Sequence, residues 1–237
     1  MSTSGAYISV VKRGPFGPQR ERLLAQARWL LQHANDPGLV NVYTVLEDGY
    51  EMELLESHNQ VHALQIVELL ESNVWCHPTT AAFNPDAFAA YLVSLPHGEL
   101  LLDWAATLSL SEDYCDTHGD PTFENIMRRG TQLVLIDPLP DRVSSGQLPS
   151  IKTLDLGKVM QSTIGYEHVK RGYYESFEDL TLLDDHWYRG VVPPAEWEHV
   201  RFFAALHIAR FIPYQTSELA MLWDDWFPRI LKRLQEG

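Results

Sequence analysis

The feature that most constrains this chain is a change of apolar period close to residue 57. Before it, short β-branched runs dominate. Residues 7–12 (YISVVK) read as a strand, and the Gly/Pro-rich stretch 14–18 breaks it. Residues 20–33 then repeat at helical spacing, with Leu23, Leu24, Ala27, Leu30 and Leu31 on one side, until Asn35-Asp36-Pro37-Gly38 stops them. Residues 40–46 and 50–55 are apolar runs joined by Glu47, Asp48 and Gly49, a hairpin signal. After Ser57 the period is mostly helical, over 61–72, 86–94 and 99–108, with a short strand at 132–136 and two tail helices at 194–211 and 217–235. In the first of these, His207 neighbours Phe203 on a stripe beside Val200, Ala204, Ile208 and Phe211, and reads as a packing histidine. The pattern predicts an α+β chain, a small strand-rich part (1–56) followed by a larger helical one (57–237).

The chain has 237 residues, 45% of them hydrophobic, which suits one large domain or two lobes sharing a cleft. No stretch approaches the roughly 18 consecutive apolar residues that span a bilayer. Residues 1–11 lack the charged start and apolar run of a secretory leader. A soluble cytoplasmic protein with no membrane partner is the expectation. The net charge of −14, with Lys and Arg scattered, argues against a nucleic-acid partner. The acidity suits a cationic substrate or simple solubility. Cys76 and Cys115 are too few for a disulfide framework. Their spacing to His77 and His118 is not that of a zinc module, and both read as buried free thiols.

The chemistry concentrates in His118, Gly119, Asp120, Pro121, Thr122, Phe123, Glu124 and Asn125, followed twelve residues after Asn125 by Asp137 at the end of an apolar run. Phosphoryl transfer needs an acceptor hydroxyl oriented toward phosphorus, and a carboxylate such as Asp120 does this and takes the proton. Magnesium bridging phosphate oxygens wants hard oxygen ligands, which Asn125 and Asp137 offer.

The HGDxxxxN loop and the VLID strand end resemble the aminoglycoside phosphotransferase and choline kinase-like superfamily, whose fold is protein-kinase-like. The resemblance covers most of residues 7–166. It implies a bilobal phosphotransferase using ATP or GTP with Mg²⁺ to modify a hydroxyl of a small molecule. It casts Asp120 as the base, Asn125 and Asp137 as metal ligands, and Asp155 of the Asp155-Leu156-Gly157-Lys158 run, with His118, as support for the loop. Lys12 resembles the strand lysine that grips the phosphates. Glu53 and Leu55 fall where a hinge would hold the nucleotide base through backbone groups.

Two departures from the family pattern stand out. Only eleven residues precede Lys12, so a glycine-rich phosphate lid is missing or reduced to Ser2, Thr3, Ser4 and Gly5, and weak nucleotide affinity is expected. The helix residue that would pair with Lys12 falls at Gln26, with Glu21 the nearest acidic alternative; the two lie about 140° apart around a helix, so only one faces Lys12. A pseudokinase scaffold and a kinase acting on protein are the competing readings. Asp184, Asp185 and His186 offer ligands for a metal or cation, but read first as a solvated loop or cap. Glu112, Asp113 and Asp116 read as the lining of a helix end, and Trp223 and Trp226, flanking Asp224 and Asp225, as core.

Overall fold

The computed structural model describes residues 9–14, 16–57, 61–79, 81–110, 113–166, 169, 177 and 187–237. The start of the expected first strand, the Ser2–Gly5 segment, Glu112 and the Asp184-Asp185-His186 cluster lie outside them. The chain is α+β. Its elements run β1 (Ser9–Arg13), α1 (Pro18–Gln32), β2 (Val42–Leu46), β3 (Gly49–Glu53), β4 (Glu56–Ser57), α2 (Ala63–Asn73), α3 (Pro85–Val93), α4 (Gly98–Ala105), β5 (Ile126–Arg129), β6 (Gln132–Leu135), α5 (Asp141–Ser144), α6 (Lys152–Gln161), α7 (Trp197–Phe211) and α8 (Ser217–Glu236).

The strands form two small antiparallel sheets, ordered β1-β3-β2 and β4-β5-β6. The β2–β3 hairpin turns at Glu47 and Asp48, with Leu46 opposite Gly49, and Arg13 on the neighbouring β1 donates to both carboxylate oxygens of Asp48 at 2.8 and 2.9 Å. Register places Lys12 opposite Tyr50. Helix α1 packs under this sheet with Gln26, Ala27, Trp29 and Leu30 buried. Leu31, expected on the apolar side, is 46% exposed, so the buried stripe is rotated toward Gln26 and Trp29.

The two sheets are tied by Arg129 on β5. It pairs with the buried Glu53 of β3 and donates to the carbonyls of Pro37 and Leu39 at 2.8 and 3.0 Å. The 38–40 segment also bonds the end of β6: Leu135 N donates to Gly38 O at 2.8 Å, and Val40 N to Leu135 O at 3.1 Å. In the helical part, α6 lies against α7 and both are almost wholly buried. A Cβ at Gly157 would stand 2.4 Å from Cβ of Phe203, so this crossing requires a residue without a side chain. His207 is fully buried and its Nε2 lies 3.0 Å from Leu154 O, which makes it the packing histidine expected. Trp223 and Trp226 are core residues. Among the described residues no helix is long and apolar enough to cross a membrane.

Candidate active site

The segment between Thr117 and Asn125 is fixed from below by one buried carboxylate. Asp155, in the first turn of α6 and fully buried, accepts three hydrogen bonds: from His118 N at 2.9 Å, Gly119 N at 2.7 Å and Trp75 Nε1 at 3.0 Å. Burial pushes its carboxyl up to about 6, against the pull of those donors. Gly119 has φ of +80°, and a Cβ there would meet Leu139 O at 2.5 Å, so the turn that presents Asp120 needs glycine. The loop closes on itself through Leu139 N to His118 O at 2.7 Å and Thr122 N to Asp120 O at 2.8 Å. His118 is fully buried, stands edge-on to Trp29, and accepts from Asp120 N at 3.3 Å; burial drives its imidazole down to about 4, so it is neutral.

Asp120 sits at the loop's crest. Asn125 Nδ2 donates to its backbone carbonyl at 2.8 Å and to its Oδ2 at 2.9 Å. Its other oxygen, Oδ1, pairs with Lys158 Nζ at 3.0 Å. Burial would raise Asp120, but the Lys158 ammonium overrides it and holds the carboxyl below the ordinary value, so it is ionised at neutral pH. Lys158 lies three residues after Asp155, on the same face of α6, so one helix both braces the loop and charges its carboxylate. With Nδ2 of Asn125 spent on Asp120, its carbonyl oxygen is the atom left for a metal.

Asp137 follows β6, where Ile136 N still bonds Asn125 O at 3.0 Å. It has φ of +59°, one of two positive-φ residues other than glycine among the described residues. Asp adopts this left-handed region more readily than most residues, and here it turns the chain after β6. Lys12, 125 positions earlier on β1, makes an ion pair with Asp137 Oδ1. Tyr50, opposite Lys12, lies under the Lys12 ammonium, and its hydroxyl is pushed up by burial and by the Asp137 charge. Gln26 reaches the same place from α1, accepting from Tyr50 Oη at 3.4 Å, while Glu21 is exposed. Of the two alternatives on α1, the inward one is therefore Gln26, but its partner is Tyr50, and Lys12 pairs with Asp137 instead.

The structure thus brings together Lys12, Gln26 and Asp137 around Tyr50, and Asp120, Asn125 and His118 in the loop, with Asp155 bracing it from α6. It leaves Glu21 apart. Glu53 and Leu55 are buried, the first in its pair with Arg129 and the second in the core, so only backbone groups there could meet a nucleotide. Cys115 is buried and its thiol is pushed up to about 12 by burial, but Cys76 is exposed, which corrects the expectation of two buried thiols. Lys158 and Tyr50 were missed by sequence reasoning. Lys158 had a signal, its place three residues after Asp155; Tyr50 had none beyond strand register. A cleft of about 470 Å³ borders the entry to the loop at Asp116 and Thr117, beside Trp29 and Pro140. No family model matches the chain, and no curated protein matches its sequence.

Proposed function

We propose that the chain is a phosphotransferase of bilobal, protein-kinase-like fold, moving the γ-phosphate of ATP or GTP to a hydroxyl of a small sugar, aminoglycoside or amino-alcohol-like acceptor. The observation that carries this reading is the meeting of Lys12 with Asp137 beside a loop in which Asn125 orients Asp120. A cation from the strand part and carboxylate and amide ligands from the helical part address one place, as phosphate and its metal require.

The donor set fits magnesium: a carboxylate at Asp137 and an amide oxygen at Asn125, both hard and neither a thiolate or imidazole. Bound with a nucleotide, magnesium would supply charge neutralisation at the phosphate oxygens. Lys12 would hold phosphate as a point charge. Asp120, ionised and fixed by Asn125, accepts the hydrogen bond of the acceptor hydroxyl and takes its proton. Lys158 keeps that carboxylate charged and adds a positive charge near the transferring group.

The test is calorimetric titration of ATP and GTP with and without Mg²⁺. Magnesium-dependent binding is expected, with loss in Asp137→Ala and retention in Asp120→Asn, whose turnover against a panel of hydroxylated acceptors falls by about 10²-fold or more. No binding by the intact protein, or unchanged turnover in Asp120→Asn, would overturn the proposal.

A further inference from the structure

We propose that His33, Asp36, His77 and Asp116 form a site for one transition-metal dication of the zinc class, distinct from the position between Asn125 and Asp137. Three stretches converge there. His33 closes α1, Asp36 lies in the turn after it, His77 follows α2, and Asp116 leads into the Asp120 loop. One ligand atom from each of His33, Asp36 and His77 lies within 4.8 Å of the other two. His77 Nε2 stands 2.9 Å from Asp36 Oδ2, and His33 Nε2 stands 3.2 Å from Asp116 Oδ2. A tetrahedral zinc holding nitrogen and oxygen at about 2.0–2.1 Å sets its ligands about 3.4 Å apart, within about half an ångström of both separations.

The hydrogen bonding of His33 fixes which of its nitrogens is available. Nδ1 lies 2.8 Å from Trp29 O, and a carbonyl only accepts, so Nδ1 carries the hydrogen. This is the backbone contact that commonly orients a metal-binding imidazole and sets its tautomer. Nε2 is then the nitrogen that faces Asp116. The two imidazole rings stand 5.0 Å apart, edge to face, so both can address one ion. One dication among two imidazoles and two carboxylates leaves the cluster neutral.

The donors select the metal. Two imidazoles with carboxylates suit Zn²⁺, Co²⁺ or Ni²⁺ over Mg²⁺ or Ca²⁺. Cys76 takes no part: its Sγ lies 3.5 Å from Ser72 O. His33 is buried, but the His77 side chain is 39% exposed and Asp116 borders the cleft beside Trp29, so an ion has a route in. Asp116 N also bonds His77 O at 3.0 Å. A bound metal would staple the end of α1 to the strand of chain that enters the catalytic loop, and it does so whether or not the chain transfers phosphate.

The test is titration of chelator-treated full-length protein with Co²⁺, followed by visible absorption, then displacement by Zn²⁺. One equivalent of Co²⁺ is expected with the intense bands of four-coordination, and Zn²⁺ should raise the melting temperature. His77→Ala and Asp36→Asn should weaken binding by about 100-fold or more and abolish the Zn²⁺-dependent rise, with the metal-free melt unchanged. Asp137→Asn should keep both signals, which separates this site from any magnesium position. Absence of saturable Co²⁺ binding, or equal binding by His77→Ala and Asp36→Asn, would overturn the proposal.

Discussion

Replacing Lys158 with methionine tests whether one ammonium sets the state of Asp120. The pair is 3.0 Å long with side chains 14% and 20% exposed. At an effective dielectric constant of about 20, its Coulomb attraction is bounded by about 5–6 kcal/mol. Breaking a buried pair by removing one partner costs about 3–5 kcal/mol, and the residual solvent access of this one brings the expected loss at pH 7 to about 2–4 kcal/mol. The pH dependence carries the sharper signature. In the native chain Asp120 is held below its unfolded value, so the pair's stabilisation is present above the unfolded carboxylate range and is lost as pH falls through the folded value. In Lys158→Met burial acts without its largest opponent, and the Asp120 carboxyl rises above its unfolded value. The folded state then binds more protons than the unfolded one just above pH 4, and stability falls as pH rises there. The variant should therefore be weaker at pH 7 than at pH 4.5, by a margin the native protein does not show. Urea denaturation at the two pH values measures this. Adding Asp120→Asn to Lys158→Met should recover more than half of the loss, because no buried charge is then left alone. A Lys158→Met loss under about 1 kcal/mol with an unchanged pH slope would refute the reasoning.

Two further changes probe the scaffold of the site. Asp155→Ala strips the acceptor from three buried N–H groups, each worth about 1–3 kcal/mol when left unpaired, so urea denaturation should show a loss of at least about 3 kcal/mol; less than 1 would mean that the loop is braced elsewhere. Gly157→Ala gains helix propensity of about 1 kcal/mol but drives a Cβ against Phe203, and a net fall in the melting temperature is expected from calorimetry. A rise would show that α6 and α7 can separate freely at their crossing.

Much of the fold was legible because period and punctuation are local properties. The α1, α2, α3, α7 and α8 helices and the β2–β3 hairpin fall within a few residues of the positions read from apolar spacing and from turn residues. Strands β4 and β5 were not legible. Glu56–Ser57 is two polar residues long, and Ile126–Arg129 ends in Arg128 and Arg129, whose charges carry no strand signal; both are held by register to a neighbour. Helix α6 was seen as a motif but not as a helix, because its polar Asp155 and Gln161 are buried with the apolar residues around Gly157 and blur its period. In the candidate site, residues joined by short-range spacing, Asp120 with Asn125, could be paired from sequence alone. The approach of Lys12 to Asp137 could be expected only through the family resemblance. The convergence of His33 and Asp36 with His77 and Asp116 was invisible, since no spacing rule connects three stretches that meet only by packing. Asp116 read as a helix-end acid for that reason.

The crossing from β3 to β4 has a mechanical consequence. Only Leu54 and Leu55 separate a strand of the first sheet from a strand of the second, and β4 runs beside β5, which leaves directly from Asn125. The segment bearing Lys12 is therefore not hung from the helical part by a slack tether. Any opening between the two sheets must bend the backbone at those two residues while Arg129 lets go of Glu53 or of the Pro37 and Leu39 carbonyls, and it must also strain the bonds between the 38–40 segment and Leu135. Leu54 is 53% exposed and Leu55 buried, so the fulcrum has one free side and one anchored side. With so short a link and those bonds beside it, the strand that carries Lys12 and the strand that leaves Asn125 share one support.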